Sequence, residues 1–314
     1  MGDNKEINKS IGGQAVIEGV MMRGKKIYVL AVRTPQNSIE IVKEPLKQTK
    51  YAFWKLPVMR GVAAFADALV LGMKIMTRSA EIAGTDEEVA PDKVELFLQK
   101  LFGDKWTDYI LYFSVALSVV LSVGLFMLLP TWLAGFLRIL PLWAVSIAEG
   151  LLRIVILVSY MLLISRMKEI KRVFQYHGAE HKAIHCFENN KELTIDHVRN
   201  FSRFHKRCGT SFLFLVMLIS MVVFFFVQTD ELWLRLLLRI LFVPLIAGVS
   251  YEVLRWAGSS QSLFVKVISY PGICLQKITT SDPDDGQIEV AIAALKEVLE
   301  YENERSFNAG QAST

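Results

Sequence analysis

The chain has 314 residues, 53% of them hydrophobic and 21% charged, and a formal net charge of +4. A mean hydropathy of +0.36, with the apolar residues gathered in long runs, excludes a disordered chain and an ordinary soluble domain. The small positive charge suits cytoplasmic loops facing anionic lipid. With no basic stripe interleaved with aromatics, it makes no case for nucleic-acid binding.

The first ten residues are polar and lack an apolar core, so no signal peptide is expected there. From 11 to about 50, Ala15 to Ile17, Ile27 to Val32 and Ser38 to Val42 are rich in β-branched residues. Gly12-Gly13, Gly19, Gly24 and the Thr34 to Asn37 stretch punctuate them, which predicts a small cytoplasmic sheet. Glu18 and Arg23, between those glycines, are candidates to build a site, although structural glycines in a hairpin explain the segment as well. From Pro57 to about Ile82 apolar residues recur three and four apart, predicting a helix. Arg60, Asp67, Lys74 and Arg78 interrupt it too often for a crossing, so it is expected in the interface or packed under the membrane domain. Gly84 to Asp92 reads as an acidic linker.

Four runs are long and apolar enough to cross a bilayer: Tyr109 to Pro130, Leu142 to Ser165, Ser211 to Val227, and Leu232 to Leu254. The stretch Arg166 to Thr210 carries ten Lys and Arg, whereas Thr131 to Pro141 has only Arg138 and Gln228 to Glu231 has none. By the positive-inside rule, the 166–210 segment and both termini face the cytoplasm. Cys186, Cys208 and Cys274 then share that reducing side, so no disulfide is expected. Glu149 and Arg153, four apart in the second run, form either a polar pocket or an outer-leaflet pair. Arg235 and Arg239 read as anchors at the outer end of the fourth run. Trp256 to Thr280 looks extended and mixed. A last helix follows from Gln287 to about Glu300, capped by Ser281 to Gly286, and the polar tail after Tyr301 is expected to be disordered.

All five histidines, His177, His181, His185, His197 and His205, lie between positions 177 and 205. On a helix His177, His181, His185 and Glu188 share one stripe, and side chains four apart can converge on one ion. His177-Gly-Ala-Glu-His181 also fits the H-x-x-E-H pattern, in which the glutamate handles a water proton. Downstream, His205-Lys-Arg-Cys208 places an imidazole three residues from a thiol, with Lys206 and Arg207 supplying positive charge beside the sulfur. Two histidines and a His/Cys pair would fill a tetrahedral zinc site. The competing explanation is a basic loop with solvated histidines and Cys208 as a small buried residue.

The chain resembles the YqhQ-like family of bacterial membrane proteins. The likeness rests on Gly12 to Gly24, Tyr176 to His185, Arg207 to Phe212 and Asp282 to Lys296. Where that family usually reads His-Pro-Arg-Cys-Gly, this chain has His205-Lys-Arg-Cys-Gly209, which removes a φ constraint but keeps both candidate ligands. The resemblance implies a domain of unknown function often labelled a predicted metal-dependent enzyme.

The resulting expectation is an α-helical polytopic membrane protein of about four transmembrane helices with a small cytoplasmic α+β portion. Residues 1–108 form a cytoplasmic segment, 109–255 the membrane domain with its His-rich loop 166–210, and 256–314 a cytoplasmic end. His177, His181, His205 and Cys208 are the candidate ligands for a divalent metal, zinc first, with His185 or Glu252 as replacements and Glu180 as general base. The activity expected is hydrolysis at the cytoplasmic membrane surface, on a membrane-associated substrate. The alternatives are a scaffold or assembly factor that binds a protein partner and carries a structural metal, and a small transporter using Glu149 and Arg153.

Overall fold

A computed structural model describes residues 11–46, 52–84, 106–137, 139–206, 208–227, 229, 231–259 and 262–311. The first ten residues, nearly all of the acidic linker, and Arg207 lie outside the described residues. The chain divides into two compact units. Met1–Thr85, Met161–Leu215 and Ala247–Thr314 make one, and Asp86–Tyr160 with Val216–Ile246 make the other.

In the first unit, strands β1 (Gly12–Val16), β2 (Gly19–Arg23), β3 (Ile27–Arg33) and β4 (Ile39–Pro45) form an antiparallel meander in the order β1-β2-β3-β4. β2 was not anticipated, because its Gly-Val-Met-Met-Arg sequence carries little β-branching and sits between turn glycines. β3 explains why it forms. The run Ile27-Tyr-Val-Leu-Ala-Val32 is apolar at every position and is covered on both faces, so strands pair on either side of it and β2 is buried with it. Ile27, Val29 and Ala31 join Val20 and Met22 against Ala179, Ala183, Ile288, Leu295 and Val298. Tyr28, Leu30 and Val32 face the other way, with Val16, Met21 and Ile75. Each fully buried Val or Leu contributes about 1.5–3 kcal/mol.

Three helices supply those covers. Helix α1 (Met59–Ala83) packs Ile75 on one face of the sheet and ends at Gly84, whose φ of 63° is the left-handed cap glycine favours. Leu69, Val70 and Met73 on the same helix are exposed. Helix α5 (Lys168–Glu188) and the C-terminal helix α10 (Asp285–Gln311) cover the other face. Asp284 and Gln287 start α10 reciprocally: the Gln287 N–H donates to Asp284 Oδ1 at 2.8 Å and the Asp284 N–H to Gln287 Oε1 at 3.0 Å. α10 continues to Gln311 instead of ending near Glu300, since no proline or glycine stands between Gly286 and Gly310 to interrupt it.

The remaining helices are α2 (Trp106–Val123), α3 (Leu129–Ala134), α4 (Leu142–Ile164), α6 (Ile195–Arg199), α7 (Gly209–Phe226), α8 (Leu232–Ser259) and α9 (Leu263–Thr279). Four stretches are long and apolar enough to cross a membrane: Phe113–Leu137, Leu142–Ile164, Gly209–Phe226 and Trp233–Ala257. The first passes through Pro130 instead of stopping there. A π-helical turn at Gly124–Leu128 precedes it, so the proline's missing N–H falls at the start of the new segment α3, where no partner is needed. α9 replaces the expected extended stretch. Pro271-Gly272 resembles a turn, but the glycine serves a close approach, because a Cβ there would lie 2.8 Å from Ser211 Oγ.

In the second unit, Glu149 accepts from Arg153 at 2.6 Å, from Arg239 at 2.5 Å and from the Thr131 hydroxyl at 3.0 Å. All four side chains are buried. Both guanidinium groups also lie over the Phe224 ring, at 5.1 and 5.6 Å. Arg239 is therefore a member of a buried ionic cluster and not a surface anchor, since the second Glu149 oxygen is a better partner than solvent. Arg235 bonds the Thr229 carbonyl at 2.6 and 3.0 Å.

Candidate metal centre

The site lies within the first unit. α5 presents its small and apolar residues, Tyr176, Ala179, Ala183 and Ile184, to the sheet and α10. The neighbouring stripe therefore carries His177, His181, His185 and Glu188 along the rim of that contact. Two close approaches bring other chain segments to this stripe. At Gly178 a Cβ would collide with the Ser281 carbonyl, and the Ser281 N–H donates to Phe174 O at 2.8 Å. Thr279 is thereby delivered to His177. At Gly13 a Cβ would lie 2.7 Å from Glu180 Cδ, so β1 passes directly over that carboxyl group.

The hydrogen bonds settle the tautomers. His177 Nδ1 donates to the Thr279 carbonyl at 2.8 Å and His181 Nδ1 to the Arg203 carbonyl at 2.6 Å. A carbonyl only accepts, so in each neutral ring Nε2 carries the lone pair. Backbone carbonyls so placed are the kind of outer partner that orients imidazoles in metal sites. Cys208 Sγ lies 3.2 Å from His177 Nε2, and ligand atoms of His177, His181 and Cys208 all fall within 4.8 Å of one another. The sulfur sits at the start of α7 and accepts the Thr210 N–H at 3.4 Å. Burial lowers the His181 pKa, against a hydrogen bond to the Cys208 sulfur, which favours the charged ring and raises it.

His205 is placed with a different set. Its Nε2 lies 3.3 Å from Glu188 Oε2, its ring is 4.7 Å from that of His185, and His185, Glu188 and His205 form a second group with ligand atoms within 4.8 Å. Burial, reinforced by His205, pushes His185 down to about 4. The structure thus divides the expected quartet: His177, His181 and Cys208 come together, and His205 joins His185 and Glu188. Glu252 joins neither group. It accepts from Arg60 through both oxygens and from the Val58 N–H at 3.4 Å. His197 is exposed and bonds the Glu192 carbonyl. Glu18 stands outside the site too, paired with Arg172 and accepting from the Tyr176 hydroxyl at 3.2 Å.

Glu180 is only 5% exposed, and its Oε2 has no hydrogen-bond partner among the described residues. Burial pushes its pKa up to about 7, with His177 pulling the other way. It lines a cavity of about 320 Å³ together with His177, His181, His205, Cys208 and Gly13. Gln276 is a further part that sequence reasoning missed. Fully buried, it accepts the His205 N–H at 2.8 Å and donates to the His205 carbonyl at 2.8 Å. Only a helical reading of 263–279 would have revealed it.

Fold and site together define a mostly helical protein with four candidate membrane spans, a small antiparallel sheet and a buried imidazole–thiol cluster. The chain belongs to the family DUF1385, described as a protein of unknown function, whose model matches residues 56–301. It is also similar to the protein of Bacillus subtilis (strain 168) described as Uncharacterized protein YqhQ, at 38% identity over 308 residues, covering 95% of this chain and 94% of the relative. No solved structure matches.

Proposed function

We propose that the protein is a membrane-embedded metal-binding hydrolase whose His177, His181 and Cys208 hold zinc at the cytoplasmic membrane surface. The observation that carries this reading is the donor set. Two imidazoles are oriented from behind by backbone carbonyls, one nitrogen of each and one sulfur lie within 4.8 Å of one another, and an unpartnered buried carboxyl group lies at the same cavity. Nitrogen and sulfur donors in this number suit zinc with a position left open. Zinc held there would supply Lewis acidity toward the scissile group's oxygen.

The chain's own residues do the rest. Glu180 has a proton affinity near neutrality and takes a proton from the attacking water, then returns it to the leaving group. Gly13, which has no side chain, leaves β1 close enough to shield that carboxyl group from bulk solvent. Thr279 and Arg203 carbonyls keep both rings aimed during turnover. The apolar strip Leu69, Val70 and Met73 on α1, the four apolar helices and the basic 166–210 segment favour a membrane-proximal substrate on the cytoplasmic side.

Metal analysis by mass spectrometry of detergent-purified protein tests the binding. Zinc is retained in the wild type and in Glu180→Gln, and one equivalent is lost in His181→Ala and in Cys208→Ser. Less than a tenth of an equivalent in the wild type refutes the reading. Glu180→Gln also separates hydrolase from scaffold, since only a hydrolase loses its cellular function when the metal and the fold persist.

A further inference from the structure

We propose that His185, Glu188 and His205 hold a second divalent cation next to the first, making the site binuclear. This rests on the function proposed above and adds a second ion beside the first, with His205 lining the same cavity. Four observations carry it. First, the three side chains offer ligand atoms within 4.8 Å of one another, a convergence separate from that of His177, His181 and Cys208. Second, the geometry repeats. Each group takes two residues from the α5 stripe and one from the segment 205–208, so one helix and one chain segment build both.

Third, the two groups are neighbours through His181 and His205, whose ring centroids lie 5.6 Å apart, while His185 lies 4.7 Å from His205 on the far side. Fourth, the position of His205 is fixed from its backbone. The buried Gln276 amide grips both its N–H and its carbonyl at 2.8 Å, and His205 itself is 7% exposed. A surface histidine paired with a glutamate needs no such clamp, whereas a ligand does.

The two donor sets differ in kind. His177, His181 and Cys208 offer two nitrogens and a soft sulfur, which favours zinc, cadmium or cobalt. His185, Glu188 and His205 offer two nitrogens and a carboxylate oxygen, a harder set that accepts manganese or ferrous iron as readily as zinc. Adjacent cations of this kind clamp one oxyanion from two sides, which favours a substrate carrying a phosphoryl or carboxyl group over a neutral one.

The test uses full-length protein in detergent, stripped with chelator and reloaded with zinc, then with cobalt. The wild type is expected to bind two equivalents. Near-isosteric Glu188→Gln, and separately His185→Ala, should bind one and keep the thiolate-to-cobalt charge-transfer band. Cys208→Ser should also bind one, without that band. Unfolding midpoints of the stripped variants guard against misfolding, and Glu188→Gln adds or removes no volume. One equivalent in the wild type, lost in Cys208→Ser but untouched by Glu188→Gln and His185→Ala, overturns the second cation and leaves the first standing. Two equivalents unaffected by Glu188→Gln and His185→Ala also overturn it. No bound metal in the wild type overturns both readings.

Discussion

The ionic cluster of Glu149, Arg153 and Arg239 and the imidazole cluster of α5 are both buried and polar, yet they dispose of their polar atoms differently. In the former, one carboxylate receives two guanidinium groups and a hydroxyl, and an aromatic ring faces both cations. Its charges are turned on one another. In the latter, the partners sit behind the rings, on Nδ1, and the remaining nitrogens and the sulfur face a common point beside a cavity. A buried carboxylate whose oxygens are already taken up by cations from its own helix and from another holds those helices in register. Donors held open toward a shared focus are what the proposed metal site requires.

The comparison breaks most readily at Glu149. Replacing it with alanine strands two buried guanidinium groups, so the expected loss is about 3–5 kcal/mol. It would be seen as a lowered unfolding midpoint in detergent and reduced abundance in membranes. If Glu149→Ala cost less than His181→Ala does in stripped protein, the two clusters would not differ in the way described.

Glu180 gives the next effect. Its folded-state pKa, about 7, exceeds its ordinary value of 4.5 because burial favours the neutral carboxyl group. Between these values the folded state binds more protons than the unfolded chain, so stability is greatest below about 4.5 and falls as pH rises through 7. For metal-stripped protein this amounts to about 3 kcal/mol. Glu180→Gln should flatten that slope in a pH series of chemical denaturation curves.

Metal removal comes third. At free zinc a hundredfold above Kd, each occupied site adds about 2.7 kcal/mol. Chelation should therefore lower the midpoint of the wild type by more than that of Cys208→Ser, which lacks the contribution of the site built on the sulfur. No chelator effect on the wild type would place the imidazole cluster with the closed, ionic kind. The smallest effect belongs to Gly13→Ala, whose Cβ meets Glu180 at 2.7 Å and should cost about 1–3 kcal/mol by overpacking. Zinc content should be unchanged, because His177, His181 and Cys208 are untouched.

Much of this organisation is legible in the residues. The apolar runs announce four candidate spans, and the 4-4-3 spacing of His177, His181, His185 and Glu188 announces one helical stripe. Two readings failed for a shared reason. β2 was hidden because its two methionines are not β-branched and Gly19 and Gly24 signal turn, and burial on both faces outweighs that local preference. α9 was hidden because Pro271-Gly272 signals a break, whereas the glycine admits Ser211. Local propensity speaks for the isolated segment, and packing supplies the larger energy.

By itself the sequence determined which side chains share a helix face, since α5 repeats every 3.6 residues whatever surrounds it. It likewise determined which segments are apolar enough to need a lipid or protein cover. Tertiary structure alone decided that His205 joins His185 and Glu188 while Cys208 joins His177 and His181, that Arg60 takes Glu252, and that Gln276 grips His205. Those pairings join residues tens to hundreds of positions apart through backbone approaches at Gly61, Gly178 and Gly272, and no local periodicity encodes how far one segment travels before it meets another.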